Sequence, residues 1–219
     1  MQLKICFGSR LSWISVAAAL AGCAAPTNFY VYKQSLISYH DSGRYDRDVQ
    51  AVAKHAMNYI HRRAASGETN LAVVLDIDDT ALSTWDRLIK DDFARKNDMF
   101  FQWIKTNSPP PIAPILDLYR KSKALGMKVF FVTGRNPALA AQTKIALAKA
   151  GYNDPDGIIY RPVEDNRHAS MTPFKSGARR ALIEQGFRIV ANIGDQESDL
   201  AGGYAERGFK IPNPFYYTP

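Results

Sequence analysis

Apolar positions change their period twice along the chain. Within residues 29–65, Val49, Val52, Ala53, Ala56, Met57 and Ile60 recur at spacings of three and four, with Arg47, Lys54 and Arg62 between them, which predicts helix. Ser66-Gly67-Glu68-Thr69-Asn70 breaks that pattern. The run Leu71-Ala72-Val73-Val74-Leu75 that follows is continuously apolar, as in a strand buried on both faces. Further on, residues 128–132, 157–160, 188–193 and 209–211 read as strands. Residues 137–150 and 173–185 read as helices, the second with Pro173 at its start. Strands alternating with helices over short connections predict an α/β fold, a doubly wound parallel sheet flanked by helices. The alternation stops over 81–114, where Trp85, Phe93, Phe100, Phe101, Trp103 and the closing Pro109-Pro110-Pro111 predict a mostly helical insertion. The expected division is a helical segment over 29–68 and a core over 69–219. A small helical lid is expected from 29–66 together with the insertion at 81–114.

The first 28 residues have a different character. Lys4 and Arg10 lead into an apolar run over 11–21, about 16 Å long as a helix and roughly half a bilayer core. It reads as the core of a signal peptide over 1–22. Leu20-Ala21-Gly22-Cys23 resembles the lipobox of bacterial lipoproteins, in which the cysteine is lipidated and becomes the first residue. The same small residues also suit plain cleavage. On the lipoprotein reading, Cys23 carries a two-chain anchor, 23–28 is a tether, and Ala24 points to the outer membrane of a Gram-negative bacterium. The expected location is therefore exported and periplasm-facing.

Composition narrows the class. With 219 residues, 46% apolar and 22% charged, the chain suits one medium domain and excludes a disordered or multi-span membrane protein. The formal charge of +7 becomes +5 without Lys4 and Arg10, and no dense Lys/Arg run exists. His61-Arg62-Arg63 and Arg179-Arg180 read as single basic turns, so a nucleic-acid polymer is not an expected partner. Cys6 and Cys23 are the only cysteines, so the processed chain has no disulfide, no Cys-based zinc site and no other thiol nucleophile.

In a sheet of this type, ligands bind at the carboxyl ends of the strands. The first strand ends in Asp76-Ile77-Asp78-Asp79-Thr80, the second in Thr133-Gly134-Arg135, and the last long one in Gly194-Asp195-Gln196-Glu197-Ser198-Asp199. Lys175 lies near the start of the preceding helix. Asp76 and Asp78 leave a strand end on one face, with Ile77 on the other. Four acids at one edge (Asp76, Asp78, Asp195 and Asp199) call for a cation, and Mg²⁺ with oxygen ligands is the economical choice. Thr133, the Gly134 amide and Lys175 suit phosphoryl oxygens.

The stretches VLDIDDTALS, VFFVTGR, PFKSGARRAL and NIGDQESDLAGG resemble the four motifs of the haloacid dehalogenase (HAD) superfamily phosphatases. They are most similar to the acid phosphatase branch, subfamily IIIB. That branch includes bacterial class B and class C enzymes and plant vegetative storage proteins. The likeness runs from Leu71 to the end, and four motifs in order make it specific. It implies a Rossmann-like core and a phosphomonoesterase acting on small phosphate monoesters, 5′-nucleotides among them. Asp76 would then be the nucleophile that takes the phosphoryl group, and Asp78 the acid and later the base. Mg²⁺ would be held by the Asp76 carboxylate, the Asp78 backbone carbonyl and Asp195, with Asp199 orienting metal-bound water. Thr133, Gly134 and Lys175 would hold the phosphate.

Other readings remain open at this stage. An alcohol in place of water makes the same site a phosphotransferase, and a surface lipoprotein that keeps only the fold is a non-enzymatic alternative. The second has no need of Asp76 and Lys175 together. Receiver domains also pair Asp, Thr and Lys, but they need neither leader nor lid. Asp79 reads as structural and Arg135 as a local ion-pair former. His168 reads as a solvated loop residue, and His40, His55 and His61 lack metal-ligand spacing. Trp85, Phe100, Phe101, Trp103, Tyr216 and Tyr217 suit either lid packing or stacking on a planar leaving group. The oligomeric state is not legible.

Overall fold

A computed structural model describes residues 28–94, 97–163 and 170–219. The leader over 1–22, Cys23 with the tether up to Thr27, and His168 lie outside the described residues. Five strands form one sheet: β1 Leu71–Leu75, β2 Lys128–Thr133, β3 Gly157–Tyr160, β4 Arg188–Gly194 and β5 Gly208–Lys210. Their order is β3-β2-β1-β4-β5 and every pair is parallel. The chain winds outward from β1 through β2 to β3, then crosses back to β4 and β5. The reversal falls between β1 and β4, and a crevice opens there at the strands' carboxyl ends.

All of β1 is buried because both sheet faces are covered. Leu71, Val73 and Leu75 enter one apolar cluster, while Ala72 and Val74 enter another on the opposite face. Helix α2, Arg44–Ala64, presents Val49, Ala53, Ala56, Met57 and Ile60 to the first cluster. The same layer holds Ile115 and Leu118 of α5, Ala113–Ala124, and Ala146 and Leu147 of α6, Ala140–Ala150. Ala178 and Leu182 of α7, Thr172–Glu184, cover the other face.

The layering corrects the expected lid. Residues 44–64 are a layer of the core, because their stripe matches the sheet face. The helix over 29–65 is also two helices, α1 Phe29–Asp41 and α2, broken at Gly43, whose φ of 72° is left-handed. Helix α1 reaches the insertion. The His40 ring stacks on Trp85 with centroids 3.8 Å apart and planes 12° apart, and Lys33 pairs with Asp92 at 2.5 Å. The segment expected to be helical from residue 137 opens as a 3₁₀ turn, Pro137–Leu139, before α6. Helix α5, to which the pattern assigns no element, is the crossover into β2.

The insertion carries two short helices, α3 Trp85–Lys90 and α4 Asn97–Thr106. A clasp closes its base. Leu82 bridges Pro111 antiparallel, the Ser83 amide donates to the Pro110 carbonyl, and the Ile112 amide donates to that of Ala81. Just before the clasp, Asp79 has a φ of 59°, a left-handed conformation that aspartate tolerates better than most residues.

Candidate active site

The chain turns sharply after β1, and the turn aims its acids. The Asp76 amide is still paired with the Ile193 carbonyl of β4, so the sheet itself fixes that residue. Ile77 is fully buried on the apolar side, and Asp78 returns to the crevice. Asp79 turns away: it accepts from the Thr84 amide at 2.7 Å and hydroxyl at 2.5 Å, and from the Tyr216 hydroxyl at 2.6 Å.

Lys175, 3% exposed in the first turns of α7, sits at the centre. Its ammonium donates to Asp76 Oδ1 at 2.5 Å and to the Val132 carbonyl at 2.6 Å, and it pairs with Asp199 Oδ1 at 2.7 Å. Its three donors match three acceptors. Burial alone would lower the lysine pKa, but the carboxylates of Asp199 and Asp76 outweigh it and hold the ammonium above its ordinary value. Asp76 is raised well above the usual carboxylate range. Burial and the nearby Asp199, Asp195 and Asp78 exceed the opposing pull of Lys175.

Asp195 follows β4 and is held from three sides. Thr80 Oγ1 donates to Oδ1 at 3.0 Å, while Gln196 Nε2 and Asn213 Nδ2 each donate to Oδ2 at 2.6 Å. Burial, with Asp199 and Asp79 nearby, pushes Asp195 up to about 7 against the hydrogen bonds from Asn213 and Gln196. Asp199 Oδ2 accepts from the Gln196 amide at 2.9 Å and so closes the turn after β4. The close approach requires glycine at 194, because a Cβ there would lie 2.3 Å from Asp199 Cβ and 2.6 Å from Oδ2.

Asp76, Asp195 and Asp199 each bring a carboxylate oxygen within 4.8 Å of the others, all three buried. Asp199 is thus part of the acid cluster itself. Asp78 joins the site differently, gripped by Arg135 at 2.7 and 3.1 Å. Asp76, Asp195 and Asp199, three buried carboxylates this close together, are hard oxygen donors that repel one another, so the donor set fits an oxygen-ligated divalent metal.

The crevice brings together Asp76, Asp78, Gly134, Lys175, Asp195 and Asp199. Thr133 does not line it. It is fully buried at the end of β2, and its hydroxyl accepts from the Arg135 amide at 3.2 Å, so the Gly134 backbone is what meets the space. Phe100 and Phe101 of α4 line the crevice, as do Tyr216 and Tyr217 of the C-terminal segment. Phe100 is also part of a small apolar cluster with Ile104 and Leu139. Trp85 packs instead on His40 and Phe215. The pattern reading missed Thr80, Gln196 and Asn213 as supports of Asp195. Their one signal is a hydrogen-bonding side chain at a strand end or, for Asn213, between Pro212 and Pro214.

Clustered acids around a buried lysine, at the switch point of a parallel sheet, make up a phosphoryl-transfer site. Comparison with known proteins gives the family. The sequence family described as HAD superfamily, subfamily IIIB (Acid phosphatase) matches residues 17–219, and the chain belongs to it. Acid phosphatase 1 of Solanum lycopersicum is 33% identical over 177 residues, covering 79% of this chain and 69% of that protein. The stem 28 kDa glycoprotein of Glycine max is 31% identical over 200 residues, covering 89% and 74%. The class C acid phosphatase structure from Bacillus anthracis shares the fold, with a TM-score of 0.71 at 18% identity over 84% of this chain and 86% of that one. The protein is a phosphomonoesterase of the acid phosphatase type, and HAD phosphatases generally use a divalent metal.

Proposed function

We propose that the protein is an exported, lipid-anchored, Mg²⁺-dependent phosphatase that hydrolyses small phosphate monoesters, 5′-nucleotides among them, through an aspartyl phosphate on Asp76. The observation that carries this reading is the unequal setting of two carboxylates two residues apart. Asp76 faces Lys175, whereas Asp78 is held by Arg135. The ammonium beside Asp76 favours its ionised, attacking form once a cation offsets the neighbouring acids, and Asp78 faces the same crevice two residues on, within reach of the departing oxygen.

Lys175 holds Asp76 Oδ1 and offers positive charge at the mouth of the crevice, while the Gly134 amide offers a donor to a phosphoryl oxygen. The other Asp76 oxygen attacks phosphorus and the ester P–O bond breaks. Asp78 gives its proton to the departing alcohol oxygen, then takes one from the water that attacks the phosphoryl-Asp76 bond. Inorganic phosphate leaves and both carboxylates return to their starting state. Asp76, Asp195 and the Asp78 carbonyl would hold Mg²⁺, which supplies charge neutralisation of the phosphoryl oxygens. The aromatic rings of Phe100, Phe101, Tyr216 and Tyr217 offer faces for a nucleobase. Lys4, Arg10, the apolar run over 11–21 and Leu20-Ala21-Gly22-Cys23 support export and lipidation in a Gram-negative envelope.

Phosphate release from p-nitrophenyl phosphate, 5′-nucleotides and sugar phosphates is expected to require Mg²⁺ and to be fastest with the nucleotides. An acid-quenched reaction should carry phosphorus label on the protein. Release that survives chelation, or no label from any substrate, would overturn the reading. For the anchor, labelled palmitate should enter the full chain expressed in Gram-negative cells and be absent from Cys23→Ser. Equal labelling of the two would remove it.

A further inference from the structure

Arg135 is 0% exposed, although it is a charged residue in a polar turn. Its Nε donates to Asp78 Oδ2 at 3.1 Å, its Nη2 to Asp78 Oδ1 at 2.7 Å, and its Nη1 to Thr143 Oγ1 of α6 at 3.2 Å. Its own amide is tied to the Thr133 hydroxyl, and its carbonyl accepts from the Arg161 amide at 3.0 Å. The guanidinium is thus spent on Asp78 and Thr143, and the backbone of the turn on Thr133 and Arg161.

We propose that Arg135 is a positioning residue, fixing the Asp78 carboxylate in the orientation that delivers a proton to the leaving group, with Thr143 aligning the guanidinium. The inference rests on the acid role given to Asp78 above. The last torsion of an aspartate is broad and roughly two-fold, so an unsupported carboxylate presents its oxygens over a wide arc. A planar guanidinium binding both oxygens removes that freedom, and an ammonium has no such fork. Stability gives little reason to keep the arrangement, because a buried ion pair is often no more stable than apolar residues of the same volume. The side of Asp78 away from Arg135 lines the crevice, where its side chain keeps 11% exposure.

The test is leaving-group dependence. The kcat/KM value covers binding through departure of the alcohol, so it senses the acid step without the later hydrolysis. General acid catalysis contributes about 10²–10⁴-fold, and an alkyl ester needs it far more than p-nitrophenyl phosphate does. In Arg135→Met, kcat/KM for glycerol 2-phosphate should fall about 30-fold or more, while that for p-nitrophenyl phosphate stays within about threefold. Arg135→Lys should fall between wild type and Arg135→Met. Thr143→Val should shift the ratio of the two substrates in the same direction by less, and it serves as the readout if Arg135→Met does not fold. Equal losses on both substrates would mean that Arg135 only supports the fold, and would overturn the proposal. Asp78→Asn separates the two levels. If it too shows no selective loss on the alkyl ester, the acid role itself fails; if it does and the Arg135 variants do not, only the positioning role fails.

Discussion

Asp76→Asn is expected to lose at least about 10³-fold in kcat on every substrate, because an amide cannot supply the carboxylate oxygen that the proposed chemistry places on phosphorus, beside Lys175. The same variant should be as stable as the parent, or more so, when metal-free. Burial and three neighbouring acids already disfavour a charge on Asp76, and a neutral amide of the same shape relieves that cost. Phosphate release and thermal unfolding in chelator, measured side by side, check both halves. Wild-type turnover in Asp76→Asn would remove this residue from the chemistry. A large loss of stability would instead show that the Lys175 ion pair outweighs the repulsion.

Lys175→Met should have the opposite effect on stability. It takes the central cation from among Asp76, Asp199 and Asp195 while leaving them buried, and breaking one side of a buried pair costs about 3–5 kcal/mol. Activity should vanish with it. Because the acids then lack their fixed counter-charge, millimolar Mg²⁺ should recover more stability in Lys175→Met than in the wild type. Denaturant titrations with and without Mg²⁺ give the comparison. Equal metal responses in the two proteins would argue that Lys175 does not share the acids with the cation, and no response in either would argue that the acids are not a cation site.

What the sequence discloses and what it hides divide along physical lines. The strands are legible because burial on both faces leaves unbroken apolar runs, as in Leu71–Leu75. Strand ends are legible for the same reason, and that is why Asp76, Asp78 and Asp195 can be named as one site; Lys175, on helix α7, joins them through its place in the third motif. The layer to which a helix belongs is not legible. The stripe on α2 says that it packs, and only the sheet's shape says against what. Buried cations are hidden most completely. Arg135 reads as a local ion-pair former and Arg179 as part of a basic turn, yet Arg135 finds Asp78 57 residues away, and Arg179 donates to the backbone carbonyls of Asp199, Ala201 and Gly203. A lone arginine has no period, and its partner is set by the crossing of distant strands. Thr133 shows a finer detail that the motif does not disclose: its hydroxyl accepts from the Arg135 amide while its neighbour Gly134 lines the crevice.

The clasp between Leu82 and Pro111 separates two kinds of change. Everything in the insertion that reaches the crevice, Phe100 and Phe101 included, lies beyond it, while Asp76 and Asp78 lie on the near side and are tied to the sheet and to Arg135. Since the loop's ends are already joined, doubling its length would cost only about 0.6 kcal/mol of closure entropy. The stretch between the two halves of the clasp can therefore be lengthened or exchanged while the reacting carboxylates keep their places. On the proposed reading, the share of ester recognition carried by Phe100 and Phe101 can thus change without touching the carboxylates that cleave the ester.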